Sequence, residues 1–577
     1  MSIARIWIAG LLGLWLSGCA APATEPPTYD LVIRGGAIYD GSGGEPYVGD
    51  VAVENDRIVA VGDVEGTAER ELDAAGMAVA PGFINMLSWA TESLIEDGRA
   101  MSDIKQGVTL EVFGEGWSMG PLTEAMRAEE LSQQGDIRFD IPWTTLGEYL
   151  EFLEARGVSP NVASFVGATT VRIHELGAFD VDPSPEQLGR MRALVRDAME
   201  QGALGIGSSL IYAPASYAET PELIALAGEA GRCGGMYISH MRSEGHAIGE
   251  AIDELIAIAR EGGLPAEIYH LKLAGRDNWH RLPEIVDRIE AARAEGLRIT
   301  TDMYTYTAGS TGLNATMPPW VQEGGHDAWV ERLRDPAIRA RVIEEMRSPQ
   351  DWENLMLLSG GAENVLLVGF KNPELRVLTG KTLAEVAAMR GQSAEETAID
   401  LVIEDDSRVD AVFFQMSEDN VRAQTALPWM SFGSDAGAPA TEGVFLESNP
   451  HPRAYGNFAR LLGRYVREEG ALSLAEAIRK LTSQPAANLG IRDRGSLAAG
   501  NYADIVIFDP DTITDHATFE EPHQYATGMR DVLVNGVQVL DGGEHTGARP
   551  GRVVRGPGWT GWPDGGACRG SDAPRET

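Results

Sequence analysis

The chain has 577 residues, 44% hydrophobic and 23% charged, enough core for one large domain plus a satellite and not the composition of a disordered chain. Its 86 Asp and Glu against 47 Lys and Arg leave a formal net charge of −39. That surface repels phosphate backbones and argues against nucleic acid as a partner; otherwise it mainly keeps a protein soluble.

Arg5 precedes an apolar stretch, Ile6 to Leu16, too short to span a bilayer as a stable anchor. It ends in Leu16-Ser17-Gly18-Cys19, which resembles a bacterial lipobox, the signal at which a chain is cut before the Cys and the thiol is acylated. Residues 1–18 then read as a lipoprotein signal peptide and 19–28 as a tether. Ala20 after the Cys, rather than Asp, implies the outer membrane of a Gram-negative cell, with the protein held at the periplasmic face by Cys19 alone. Only Cys233 and Cys568 remain, so no disulfide framework is expected. Cys233 precedes an apolar run and should be buried; the Gly-, Asp- and Arg-rich stretch 557–577 reads as a tail without order.

From Tyr29 the sequence alternates in short runs, Tyr29–Arg34, Val48–Val53 and Arg57–Val61, separated by turn residues. Asp504–Phe508 and Val532–Gly536 do the same near the other end. Strands from 29–80 and 491–556 are expected to pair into one small β-domain. Between them, in 81–490, apolar runs such as Leu204–Gly207, Met236–Ser239, Ala266–Tyr269 and Ile299–Asp302 alternate with amphipathic stretches such as Ala251–Arg260 and Leu282–Ala294. That rhythm indicates βα units and a parallel sheet; periodicity alone leaves a closed barrel and an open doubly wound sheet both standing. An excursion near 309–353, with Pro318-Pro319-Trp320 and a charged helical piece from Ala328 to Arg347, suggests a lid or a peripheral insertion.

Three polar residues end apolar runs: His240, then His270 one βα unit later, then Asp435 after Gly433-Ser434. Two His on consecutive strand ends can face one metal ion, and a nearby carboxylate can move a proton. Around them, Ala80-Pro81-Gly82-Phe83-Ile84, Gly107-Val108-Thr109, Ser239–Glu244, His270–Gly275, Asp302–Thr311, His451–Gly456 and Gly500–Val506 stand in an order and spacing that resemble the N-acyl-D-amino-acid deacylase (D-aminoacylase) branch of the amidohydrolase superfamily. The resemblance runs from Tyr29 to about Gly556. It implies an α/β fold, a (β/α)8 TIM-like barrel with a small β-sandwich domain built from both ends of the chain.

Two departures shape the expected site. Superfamily members usually carry His-x-His after the first strand; here Leu87 and Trp89 hold those positions, and neither binds a metal. The family's bridging Cys is also missing, and in Phe113–Ser118 only Glu115 can be a ligand, with Glu111 a weaker substitute inside the strand run. The resemblance then implies one Zn(2+) held by Glu115, His240 and His270, with Asp435 as the catalytic proton carrier. Lys272, read as an exposed cation, and Tyr212, Tyr306 and Ser310 match substrate-binding positions; Arg242 and His246 should only shape the rim. The expected activity is zinc-dependent hydrolysis of the amide bond of N-acyl amino acids, of the D series by the same resemblance, or of related dipeptide-like molecules. Two alternatives stand beside it: a non-catalytic binding protein on this fold, and a hydrolase of a cyclic amide or lactone.

Overall fold

The computed structural model describes residues 27–568; residues 1–26, where the signal peptide and the acylated Cys19 were expected, and the last nine residues lie outside them. Among the described residues eight parallel strands close a barrel. Phe83–Asn85, Val108–Phe113 and Asn161–Ser164 pair in that order, and the last continues into Val166–Gly167. From there Gly205–Ser209, Met236–His240, Ala266–Ile268, Ile299–Met303 and Met430–Phe432 follow around the wall. Closure comes between last and first strands, where the Met86 amide donates to the Phe432 carbonyl at 3.2 Å and the Asp435 amide to the Leu87 carbonyl at 2.8 Å. Closing the wall removes the edges an open sheet would leave.

Strand alternation sorts the side chains. Ile84, Leu110, Val112, Ala163 and Ile238 fill the interior, while Phe83, Phe113 and Tyr237 face the helices outside. The amphipathic stretches are those helices. In Ile248–Gly262 the residues Ile252, Leu255, Ile256 and Ala259 recur at helical spacing and are buried. Leu146–Arg156 begins at a capping box between Thr145 and Glu148.

Nine further strands, from Thr28–Ile38 to Glu544–His545, form one sheet drawn from both ends of the chain. Its two contributions meet where Ile505–Phe508 runs antiparallel to Ala78–Pro81. Thr28–Ile38 has a register shift between Ile33 and Gly36, so one half pairs with Thr67–Asp73 and the other with Ala78–Pro81. The excursion that starts at Gly309 runs well past Glu353, to Phe413. It holds its own antiparallel sheet of Gly309–Gly312, Asp410–Phe413 and Val365–Gly369, and its own core around Leu313, Trp329, Leu367 and Phe413. The charged piece 328–347 falls into two helices, His326–Arg334 and Pro336–Met346, divided where Pro336 cannot continue the first.

The C-terminal segment corrects the expectation of a loose tail. After His545 the chain crosses the barrel floor, where the strands begin. Val554 donates to the Val162 carbonyl and Gly556 to the Gly202 carbonyl, both at 2.8 Å. Cys568 then forms a disulfide with Cys233, just before the Met236–His240 strand. The expectation of two unpaired thiols is overturned because the tail's order comes from this seam, made with residues far away in sequence.

Candidate metal centre

The site lies at the barrel's C-terminal end, where such folds collect their chemistry. Glu115 leaves the Val108–Phe113 strand between Gly114 and Gly116, at φ +110° and +74°. A Cβ on Gly114 would lie 2.5 Å from the Phe165 carbonyl oxygen, and one on Gly116 2.5 Å from Ser209 Cβ. Only glycine lets this loop fold back tightly enough to turn Glu115 inward. Glu111 is no substitute: it accepts from Asn85 Nδ2 at 2.9 Å, in a buried group with Asp103 and Ser434.

Glu115 Oε1 lies 3.1 Å from His240 Nδ1 and 2.8 Å from His270 Nε2, and the two nitrogens are 3.0 Å apart. Ligand atoms about 2.0–2.1 Å from a tetrahedral zinc stand about 3.3–3.4 Å from one another. The three atoms are thus nearly at that spacing, converge on one point and carry the right chemistry, one carboxylate and two imidazoles. They fit a single zinc ion. Burial raises Glu115, but His270 and His240 outweigh it and hold the carboxyl well below the usual range, ionised as a ligand must be. His270 is raised to about 10: burial and Lys272 lower it, while Glu244 and Glu115 raise it more. To serve as a ligand this ring would have to give up that proton.

Glu244 backs His270: its Oε1 is 3.0 Å from His270 Nδ1, a partner that fixes which ring nitrogen faces a metal. Its Oε2 is 3.7 Å from His240 Nε2, beyond hydrogen-bond reach, and that nitrogen has no hydrogen-bond partner among the described residues. Lys272 closes the set, with Nζ 2.6 Å from Glu244 Oε1 and 2.7 Å from His270 Nδ1. The exposed cation expected here is instead a buried, paired one, 3% exposed. The insertion reaches this layer too. Glu353 Oε1 accepts from Ser243 Oγ at 2.5 Å and from the amides of Glu244 and Gly245 at 2.7 and 2.6 Å.

Asp435 sits at φ +49° and His270 at +34°, conformations that cost energy in non-glycine residues and are held here by the surroundings. For His270 the clamp is Asp302 Oδ1, which accepts its amide at 2.8 Å. Asp435 Oδ2 forms an ion pair with Arg453 Nη1 at 2.8 Å. Burial raises the Asp435 carboxyl, Arg453 opposes, Glu115 adds to the rise, and the result is above the ordinary Asp value. A base tuned upward is better matched to proton transfer near neutrality.

Of the other expected residues, Tyr212 packs edge-on to His240, ring centroids 5.3 Å apart. Ser310 turns its hydroxyl to the Ala411 carbonyl at 3.2 Å, while its own carbonyl lies 3.4 Å from Arg453 Nη2. Tyr306 points away from the ligands: its hydroxyl is 3.2 Å from Asp515. The tyrosine beside the ligands is Tyr304, whose buried hydroxyl has no hydrogen-bond partner among the described residues and whose ring lies under Arg453 at 4.5 Å and Lys272 at 5.6 Å. Arg242 pairs with Glu254 at 2.9 Å, on the rim. The residues that sequence reasoning passed over are Glu244, Arg453, Tyr304 and Trp89. The first three stand inside the quoted motifs, and only the direction of their side chains reveals them.

The model of the amidohydrolase family matches residues 70–540. D-aminoacylase from Alcaligenes xylosoxydans xylosoxydans is 34% identical over 92% of this chain and 98% of its own length. N-acyl-D-glutamate deacylase from the same organism is 34% identical over 91% and 96%. Among solved structures, the N-acyl-D-glutamate deacylase of Bordetella bronchiseptica, complexed with zinc and a phosphonate mimic of the tetrahedral intermediate, superposes with a TM-score of 0.75 at 29% identity. That match covers 92% of this chain and 100% of the other.

Proposed function

The chain belongs to the amidohydrolase family, and we propose that it hydrolyses the amide bond of N-acyl-D-amino acids with one zinc ion per chain. The observation that carries this is the convergence of Glu115, His240 and His270 beside Asp435 and the cation of Arg453. When bound, zinc supplies Lewis acidity toward an amide carbonyl and a water. The chain's own groups do the rest. Asp435 takes a proton from the attacking water and returns it to the leaving nitrogen, its two oxygens oriented by Trp89 and Arg453. Among the described residues, Arg453 keeps a buried Nε without a hydrogen-bond partner, and Tyr304 a buried hydroxyl. Donors left unpaired in a buried site favour an anionic partner, and the carboxylate of an N-acyl amino acid is one. Tyr212 and Ser310 flank the same space. Lys272 acts through Glu244, and Tyr306 stands outside the site.

The same reading puts the protein outside the cytoplasm, held to a membrane by acylated Cys19. Leu16–Cys19 supports it, and a disulfide suits an oxidising compartment. Among the described residues no helix is long and apolar enough to cross a membrane.

The test is metal content and turnover measured together, on protein purified without added metal. One zinc per chain, lost in Glu115→Ala, with N-acetyl-D-amino acids cleaved faster than their L forms, is the expected result. Protein that neither holds nor takes up zinc would refute the mechanism and favour a binding protein. Zinc-dependent cleavage of lactones or cyclic amides alone would refute the substrate class.

A further inference from the structure

Trp89 occupies one of the two positions at which the sequence lacks a metal-binding residue, and the structure gives that position a different task. Its Nε1–H lies 2.9 Å from Glu115 Oε2 and 3.2 Å from Asp435 Oδ1. One donor is therefore shared between the outer oxygen of a ligand carboxylate and one oxygen of the proton carrier. An indole N–H only donates, so it can neither ligate a metal nor turn around and accept. The backbone beneath is fixed by barrel closure: the Trp89 amide donates to the Ala436 carbonyl at 2.9 Å, and Ser88 and Ala436 form a parallel bridge. The first and last strands thus carry donor and acceptor together.

The consequence is electrostatic. Two carboxylates facing one small space repel each other, and a cation between them is the ordinary remedy. Here a neutral N–H bridges them instead, and Glu115 is left with Oε1 alone to offer the two histidines. Resting on the zinc-amidohydrolase reading, we infer that Trp89 is a positioning residue. It stands where a second cation would bridge Glu115 and Asp435, limits the site to one metal, and holds both carboxylates for the reaction. At 38% exposure the residue is also open to solvent.

The experiment uses the full chain with Trp89→Phe, and with β-(3-benzothienyl)alanine at position 89, which replaces N–H by sulfur at nearly constant shape and covers the case in which phenylalanine disturbs the loop. Zinc per chain is counted after equilibrium dialysis against excess zinc, and kcat and KM are measured in parallel. Wild type is expected to saturate at one zinc. Both variants should take up a second equivalent and lose kcat by about tenfold or more, the usual cost of removing a group that orients a ligand, with KM changed by less than about twofold. Variants that keep one zinc and full kcat, or a wild type that takes up two, overturn the inference and leave the hydrolase reading intact. A wild type without zinc or turnover overturns both.

Discussion

Glu244 is the group on which stability and metal binding both depend, so removing it separates the two. It is 3% exposed on its side chain, as is Lys272, and the pair is 2.6 Å apart. At an effective dielectric of about 20 that separation corresponds to roughly 6 kcal/mol of attraction, much of it offset by the cost of taking both charges out of water. Glu244→Leu leaves a buried ammonium unpaired 2.7 Å from His270 Nδ1, and should destabilise the protein by about 3–5 kcal/mol. Glu244→Leu with Lys272→Met removes both charges and should recover most of that loss. Zinc affinity behaves differently, because either change deprives His270 of the carboxylate behind it. It should fall by about 10–100-fold in the single and in the double variant. Stability is read from urea denaturation with a chelator present, so that zinc binding does not mask the protein's own stability; affinity is read by competition with a chromogenic chelator. A double variant that binds zinc as tightly as wild type would refute the backing role, and a single variant of unchanged stability would refute the buried ion pair.

Asp435→Asn should keep one zinc per chain and lose about 10²–10⁴ of turnover; equal loss of metal would make Asp435 a ligand. Because the base must be ionised and its pKa is raised, activity should fail on the acid side at a pH above that of an ordinary Asp. Arg453→Met, which removes the lowering influence, should move that limb higher still in kcat/KM profiles. Tyr304→Phe should lower kcat/KM by about tenfold, the value of a good hydrogen bond to a charged partner, whereas Tyr306→Phe should stay within about twofold. Cys233→Ser should destabilise by about 2–5 kcal/mol, matched by reductant on wild type, with kcat unchanged because the disulfide lies at the opposite end of the barrel; an equal melting curve with and without reductant would contradict it.

What the sequence disclosed follows from how narrowly each task restricts residue type. A zinc ligand must be one of a few side chains, so His240 and His270 stood out at strand ends, and Glu115 was the ligand-capable residue left in its loop. Their positions could be read because a strand's end is marked by its apolar run. Tyr304 and Tyr306 show where that fails. Both follow Ile299–Met303, their side chains diverge, and which one meets the site depends on how the backbone leaves the strand. Lys272 shows a different failure: a lysine in a motif looks the same whether it meets a substrate or a buried glutamate 28 residues earlier.

Supporting roles are the least legible because many residue types can fill them. Any donor could bridge Glu115 and Asp435, and here a tryptophan does, at a position where its only sequence-level meaning was the absence of histidine. Any carboxylate of the right length could fasten the insertion to the loop after His240, and Glu353 does so across 108 to 110 residues. The Cys233–Cys568 disulfide joins positions 335 residues apart, through a segment whose composition alone predicts no order. Its stability lies in the seam with the barrel floor, which no local window contains. The same reasoning says where the hydrolase reading is strongest. It rests on residues whose chemistry admits few substitutes, while the network around them determines how well the site works and which metal count it accepts.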